Sequence, residues 1–307
     1  MPSTRRARVV PTHPSSIPIR RSRSGGRVAP LAIVLFSLLA AVRVSTAETV
    51  TSDPSLAAGD RAWAERAGVL DEEGLRAAPE TIGRAIDAYR RAVEARPDAL
   101  EPRWKLMRAL HYSIDFAVLD APEADRNAEA AIALARESVA LLERVEGTSF
   151  DRARIYFWSS IAWGTRLARV GPLALVREGV ATRMHDFAER ALALDEGVDR
   201  GGSLRLLARL HTKFPRIPFV SGWVDRAKAM PFAERAMALD PDHPGNPLIL
   251  ALTILDLEPE RDVEARAALL RAIETEPRAD FLAEDLRIRE QARARLAELD
   301  AASENAG

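Results

Sequence analysis

Three times along the chain the same thirteen-residue frame returns: Ala85, Tyr89, Ala92, Pro97; then Ala229, Ala233, Ala236, Pro241; then Ala265, Leu269, Ala272, Pro277. Its first three residues fall on one face of a helix, and the proline, which lacks an amide and restricts the residue before it, closes that helix. Alanine at the first and eighth positions lets two helix backbones approach closely, while the larger Tyr89 fills the gap to the next pair. A helix of this kind cannot bury its face alone, so repeated copies must stack. The expected fold is an all-α solenoid, whose function lies on a stacked binding surface.

From residue 48 onward Ala, Leu, Glu and Arg dominate, apolar residues recur at helical spacing, and no alternating strand pattern appears. Residues 1–47 read differently. They hold eight arginines and no acid, Val28 to Val42 is apolar except for Pro30 and Ser37, and Ser45-Thr46-Ala47 supplies small residues for cleavage after Ala47. This segment is expected to be a secretory signal. An apolar helix of that length would span roughly 22 Å, short of a bilayer core of roughly 30 Å, so a permanent anchor is the weaker alternative. The expected layout is a signal peptide at 1–47, one helical-repeat domain at 48–299 and a flexible tail at 300–307. The protein would be exported, periplasmic or envelope-associated, and soluble once the signal is removed.

Of 44 basic side chains, subtracting those eight leaves 36 against 45 acidic ones, a formal charge of −9. An acidic protein without a basic stripe offers nucleic acid no electrostatic footprint and gains nothing from an anionic membrane surface. Cysteine is absent, which excludes disulfides, thiolate metal sites, a cysteine nucleophile and a lipidated cysteine, so the chain is not a lipoprotein.

Catalytic patterns are equally sparse. His111, His185, His211 and His243 form no HExxH and no pair at metal-binding spacing; no Gly-rich phosphate loop follows a strand; and Ser203 lies in no Gly-x-Ser-x-Gly elbow. His185 and His211 are expected on helix surfaces or in a groove, and His243 among turn prolines. The sequence predicts a non-enzymatic protein with no catalytic residue, cofactor or metal.

Beyond the frame, the chain carries Ala62-Trp63-Ala64-Glu65-Arg66-Ala67, Arg108-Ala109-Leu110-His111-Tyr112, Tyr156-Phe157-Trp158, Ala191-Leu192-Ala193-Leu194-Asp195, Gly201-Gly202 with Leu204 to Leu210, and Phe214-Pro215 through Pro218. The frame resembles the tetratricopeptide repeat, and these segments in this order, across residues 56 to 277, resemble the T component of TRAP transporters, an exported helical-repeat protein of the bacterial envelope. The resemblance implies a tetratricopeptide-like α-solenoid. About five helical hairpins would be followed by a C-terminal capping helix over Asp280 to Leu299. Each first helix would carry a pair whose second residue is small: Ala67-Gly68, Leu106-Met107, Trp163-Gly164, Leu207-Ala208 and Leu250-Ala251. The second helices would begin near Ile82, Ala128, Thr182, Arg226 and Asp262. From the small residue to the frame the chain runs 14 to 24 residues where the repeat has twelve, so Asp115 to Arg126 and Thr212 to Trp223 are expected as long turns on one edge. The resemblance further implies a small apolar or carboxylate ligand, docking of the transporter's soluble binding protein, and a possible homo-oligomer; a general envelope scaffold for protein partners is the alternative. Leu207-Ala208 stands where the family carries Leu-Gly, and the lipid-anchor cysteine of some members is missing.

First helices line the concave side of such a solenoid, which points to their aromatic and basic residues. Trp104, Arg108 and His111 share a helix face with Tyr112 beside them; Tyr156, Trp163 and Arg166 repeat the arrangement, and Arg205 and Arg209 carry it on the fourth first helix. Arginines for an anion and flat rings for an apolar body make a groove. Alternatively, the rings pack between repeats and the arginines pair with acids. Phe214, Phe219 and Trp223 belong to the proline-stiffened loop, which either displays them or packs them as a lid.

Overall fold

The nine residues that open the three frame copies are all fully buried: Ala85, Tyr89, Ala92, Ala229, Ala233, Ala236, Ala265, Leu269 and Ala272. They form the seam along which helices meet. In the computed structural model, which describes residues 53–167, 179–218 and 220–306, the elements are α1 (Pro54–Ala64), α2 (Pro79–Ala95), α3 (Leu100–Phe116), α4 (Ala121–Leu141), α5 (Ser149–Leu167), α6 (Val180–Leu194), α7 (Gly202–Lys213), α8 (Ala229–Leu239), α9 (Gly245–Leu257), α10 (Asp262–Glu274) and α11 (Leu282–Ala306). Among the described residues there is no strand, only isolated bridges from Ala77 to Leu70 and Ala117. None of the described helices is long and apolar enough to cross a membrane. The signal segment with its cleavage site after Ala47, the side chain of Arg166, and Phe219 lie outside the described residues.

Every helix packs on the next one in sequence, and α3 also packs on α5 and α7 on α9, as stacked hairpins do. The fold is all-helical and repeat-like. The five expected second helices appear as α2, α4, α6, α8 and α10; Asp262 starts α10, and a short 3-10 turn at Arg226–Lys228 precedes α8. The two irregular frame copies are buried as well, through Ala131, Ala135 and Ser138 on α4 and Met184, Ala188 and Ala191 on α6. Tyr89 fills the expected gap, its Oη donating to Asp60 at 2.9 Å; burying a side chain of this size contributes roughly 1.5–3 kcal/mol.

Three expectations are corrected. Ala67-Gly68 is not helical, because α1 stops at Ala64 and the chain turns there, with the Arg66 amide donating to Trp63 O at 3.2 Å. Asp115 to Arg126 is not a long turn. The extra residues lengthen the helices instead: α3 runs to Phe116, and α4 starts at Ala121, capped by the Asp120 carboxylate, which accepts the Glu123 amide at 2.7 Å. The terminal helix does more than cap. Helix α11 covers α10 and α9, continues through the expected tail at 300–306, and reaches back to the opposite end of the stack. There the buried Arg66 binds the Asp280 carbonyl and pairs with Glu284 at 2.6 Å, and Arg287 donates to the carbonyl of Asp115 on α3.

Candidate functional site

The return of α11 across the first helices encloses a cavity of about 360 Å³. A volume of that size lies within the range of small-molecule sites. Helix α3 supplies one wall. Its periodicity turns Trp104, Arg108 and His111 inward together, with Tyr112 adjoining. Trp63 from the end of α1, Arg154 and Trp158 from α5, the turn at 197–200, and Phe281, Glu284 and Ile288 by α11 supply the rest, with His243, Arg205 and Arg278 on the cationic side.

Arg108 is the centre of the aromatic wall. Its guanidinium lies 3.8 Å from the Trp63 ring centroid and 5.1 Å from that of Trp104, a double cation–π arrangement. Trp104 is fixed in turn by its indole N–H, which donates to Asp151 at 3.0 Å. Among the described residues no carboxylate forms an ion pair with Arg108, and its Nε is shut off from solvent without a hydrogen bond. Burial pulls this guanidinium down to about 10, partly offset by the neighbouring Tyr89 phenol. It remains a cation at neutral pH.

The other four arginines on the wall are occupied. Arg154 pairs with Asp195 at 3.2 Å, Arg200 with Asp240, and Arg278 with Asp285 at 2.6 Å. Arg205 is taken up by the backbone. It donates to Asp199 O and Oδ2 at 2.9 and 2.8 Å, to Arg200 O at 3.0 Å and to Asn246 Oδ1 at 2.8 Å. Those bonds hold a strained turn, with Asp199 and Arg200 at φ 47° and 53° and Gly201 at φ 91°. Left-handed backbone costs a non-glycine residue of order 1 kcal/mol or more and survives only where its surroundings enforce it. Gly202 follows because the turn lies against α5: a Cβ there would come within 2.7 Å of the Phe157 ring.

Beside this turn His243 is held neutral. Burial, then the charges of Arg205, Arg278 and Arg200, depress its imidazole to about 2. Its Nδ1 accepts the Gly245 amide at 3.0 Å, so the ring proton belongs on Nε2, which faces Arg278 Nη2 at 3.4 Å. Two donors thus face one another. Unsatisfied polar atoms gather on the same wall: Tyr112 Oη and Glu284 Oε2 are buried without partners, and His111 Nδ1, 3.4 Å from Asp115 Oδ2, makes no aligned hydrogen bond. Burial pushes both the Tyr112 phenol and the Glu284 carboxyl up. Native interiors seldom leave such groups unpaired, since each costs about 1–3 kcal/mol.

The structure therefore brings Trp104, Arg108, His111, Tyr112 and Arg205 to one cavity. It separates the remaining candidates. Tyr156 sits two residues before Trp158, on the far side of α5, where its ring packs on Phe187 and its Oη accepts from Arg190 at 3.4 Å. Trp163 is buried in a separate core with Ile132, Val180, Met184 and Leu210, and Phe214 and Trp223 pack against the same core instead of being displayed. Arg209 is neutralised by Asp256 at 2.9 Å, which Lys213 shares at 2.8 Å. His211, expected at a surface or groove, is fully buried.

Sequence reasoning missed Trp63, Arg154, Trp158, His243, Arg278, Phe281, Glu284 and Ile288 as parts of one site. Arg154 and Trp158 were recoverable from their four-residue spacing, and Phe281, Glu284 and Ile288 from theirs of three and four. What no local spacing announces is that α11 folds back onto α3. Fold and site together define an all-helical, repeat-like protein enclosing an aromatic, arginine-lined cavity. No protein-family model matches the chain, and a search of curated proteins finds no match.

Proposed function

We propose that this is a non-catalytic binding protein whose cavity takes a small molecule with a flat apolar body and an anionic group, the anion seated at Arg108. The observation that carries this reading is the state of Arg108. A cavity-wall cation held between two indoles, without an ion-paired carboxylate among the described residues, is a costly arrangement for an empty site and a strong one for a bound anion. Trp104, Trp158 and Phe281 would grip the apolar body, while Trp63, covered by Arg66 and Arg108, would hold Arg108 in place. The cationic side around Arg205 and Arg278 would favour the negative ligand electrostatically, and His243 Nε2–H would donate to an acceptor placed there. Among the described residues no nucleophile and base are paired on the wall, and binding is the chemistry this lining favours.

The tetratricopeptide-like solenoid and the envelope role beside a TRAP-type transporter belong to the same proposal. They are supported by the recurring frame and by the ordered segments from Ala62 to Pro218. In that setting the protein would hold a ligand, hand it to a soluble binding protein, or do both.

Native mass spectrometry of the purified chain tests the binding role. The expected result is a retained small anion on the wild type that is absent from Arg108→Met; equal retention by both proteins would remove Arg108 from the site.

A further inference from the structure

Between α6 and α7, two imidazoles and a carboxylate converge. His185 and Glu189 lie one turn apart on α6, and His211 closes the set from the last turn of α7. One donor atom from each lies within 4.8 Å of the others. We infer that His185, Glu189 and His211 form a site for a divalent first-row transition ion, with zinc as the natural occupant. The inference uses none of the cavity's residues.

The donor chemistry fits. His185 Nδ1 lies 3.2 Å from Asp186 Oδ1 and its Nε2 3.7 Å from Glu189 Oε1. With the ring proton shared toward Asp186, the Nε2 lone pair points at a carboxylate that can only accept, and a cation between them converts opposed acceptors into two ligands. A carboxylate behind a ligating histidine is the usual outer-shell partner that fixes its tautomer. Two imidazoles with one carboxylate suit Zn²⁺ and its neighbours, and leave a coordination position open to water.

The rings are held in place. His185 stacks on Trp223 with centroids 4.2 Å apart at 19°, and Trp223 is tied by its indole N–H to Thr182 Oγ1 at 3.2 Å. His211 lies parallel to Phe232 at 5.7 Å. The independent sign of a ligand is His211 Nε2, which is buried without a hydrogen-bond partner. Its other nitrogen accepts the Asp225 amide at 3.1 Å. Binding through Nε2 moves the ring proton to Nδ1, and the Asp225 peptide must turn away. Zn–N distances of about 2.0–2.1 Å also require the donors to close in by about 1 Å. These two adjustments weaken binding relative to a preformed site. Glu189, 41% exposed, provides the entrance. A bound ion would clamp the base of the 214–225 loop to α6 through His211 and the Trp223 stack.

The test is calorimetric titration of the metal-free full chain with Zn²⁺, paired with Co²⁺ absorption. Wild type should take up one equivalent, show cobalt ligand-field bands in the visible, and melt at a higher temperature with zinc present. The double variant His185→Gln/Glu189→Gln, its helicity checked against wild type by circular dichroism, should bind at least tenfold more weakly. No saturable uptake by the wild type, or undiminished uptake by the double variant, overturns the site and leaves His185 as a ring held between Asp186 and Glu189.

Discussion

Arg108 on α3 and Arg209 on α7 hold the same place in their hairpins, one residue past Met107 and Ala208, yet their surroundings are opposite. Arg209 meets Asp256 from α9 and is neutralised, whereas Arg108 meets two tryptophans and forms no ion pair among the described residues. A repeat dictates where a side chain stands; the neighbouring repeat decides whether its charge is spent on structure or kept for a ligand. Arg205 makes the same point from a third side, since it lines the cavity but its four hydrogen bonds go to the turn at 199–200 and to Asn246.

The largest effect should come from Arg205→Met. Removing it takes its hydrogen bonds from the Asp199 carbonyl and carboxylate and from Asn246 Oδ1 around a left-handed turn, and leaving such partly buried groups unpaired costs about 1–3 kcal/mol. Urea denaturation of the variant should show a loss of that order. A loss under 1 kcal/mol would place Arg205 among the arginines available to a ligand and dissolve the contrast with Arg108.

The cationic side of the cavity can be read through His243. Its imidazole is held near pH 2 in the folded chain and titrates near 6.5 when unfolded, so below pH 6.5 the unfolded state takes up a proton that the folded state refuses. Stability is therefore lost as pH falls from 6.5, by at most about 1.4 kcal/mol for each unit. Denaturation of wild type and His243→Gln at pH 7 and pH 5 should show a steeper loss for the wild type. Equal slopes would mean that neither burial nor the three arginines depress this ring.

The smallest effect belongs to Arg209→Ala. A partly exposed pair contributes up to about 1 kcal/mol, and Lys213 still serves Asp256, so stability should fall slightly and ligand retention should not change. A retention loss matching that of Arg108→Met would show that the pairing does not separate the two positions.

How much of this was written in the sequence differs between seam and site. The frame was legible because close packing leaves an alanine signature at fixed spacing, and its nine residues are buried. Inserted residues were misread because a longer gap between frame positions has two solutions, a longer loop or longer helices, and α3 and α4 take the second. The face bearing Trp104, Arg108 and His111 followed from helical periodicity alone. Its partition into free and occupied arginines did not, because Asp256 lies 47 residues beyond Arg209 and Asn246 lies 41 beyond Arg205. The contact that closes the cavity, Arg66 with Glu284, joins residues 218 apart.

The central claim is that Arg108 selects an anion within an aromatic cavity. Its most direct test is tryptophan-fluorescence titration of wild type and Arg108→Met with a panel of aromatic and medium-chain carboxylates, each beside its neutral amide. Wild type should bind at least one acid saturably and at least tenfold more tightly than the matching amide, and Arg108→Met should lose that preference. Equal binding of acid and amide by the wild type, or saturable binding of neither, would contradict the account.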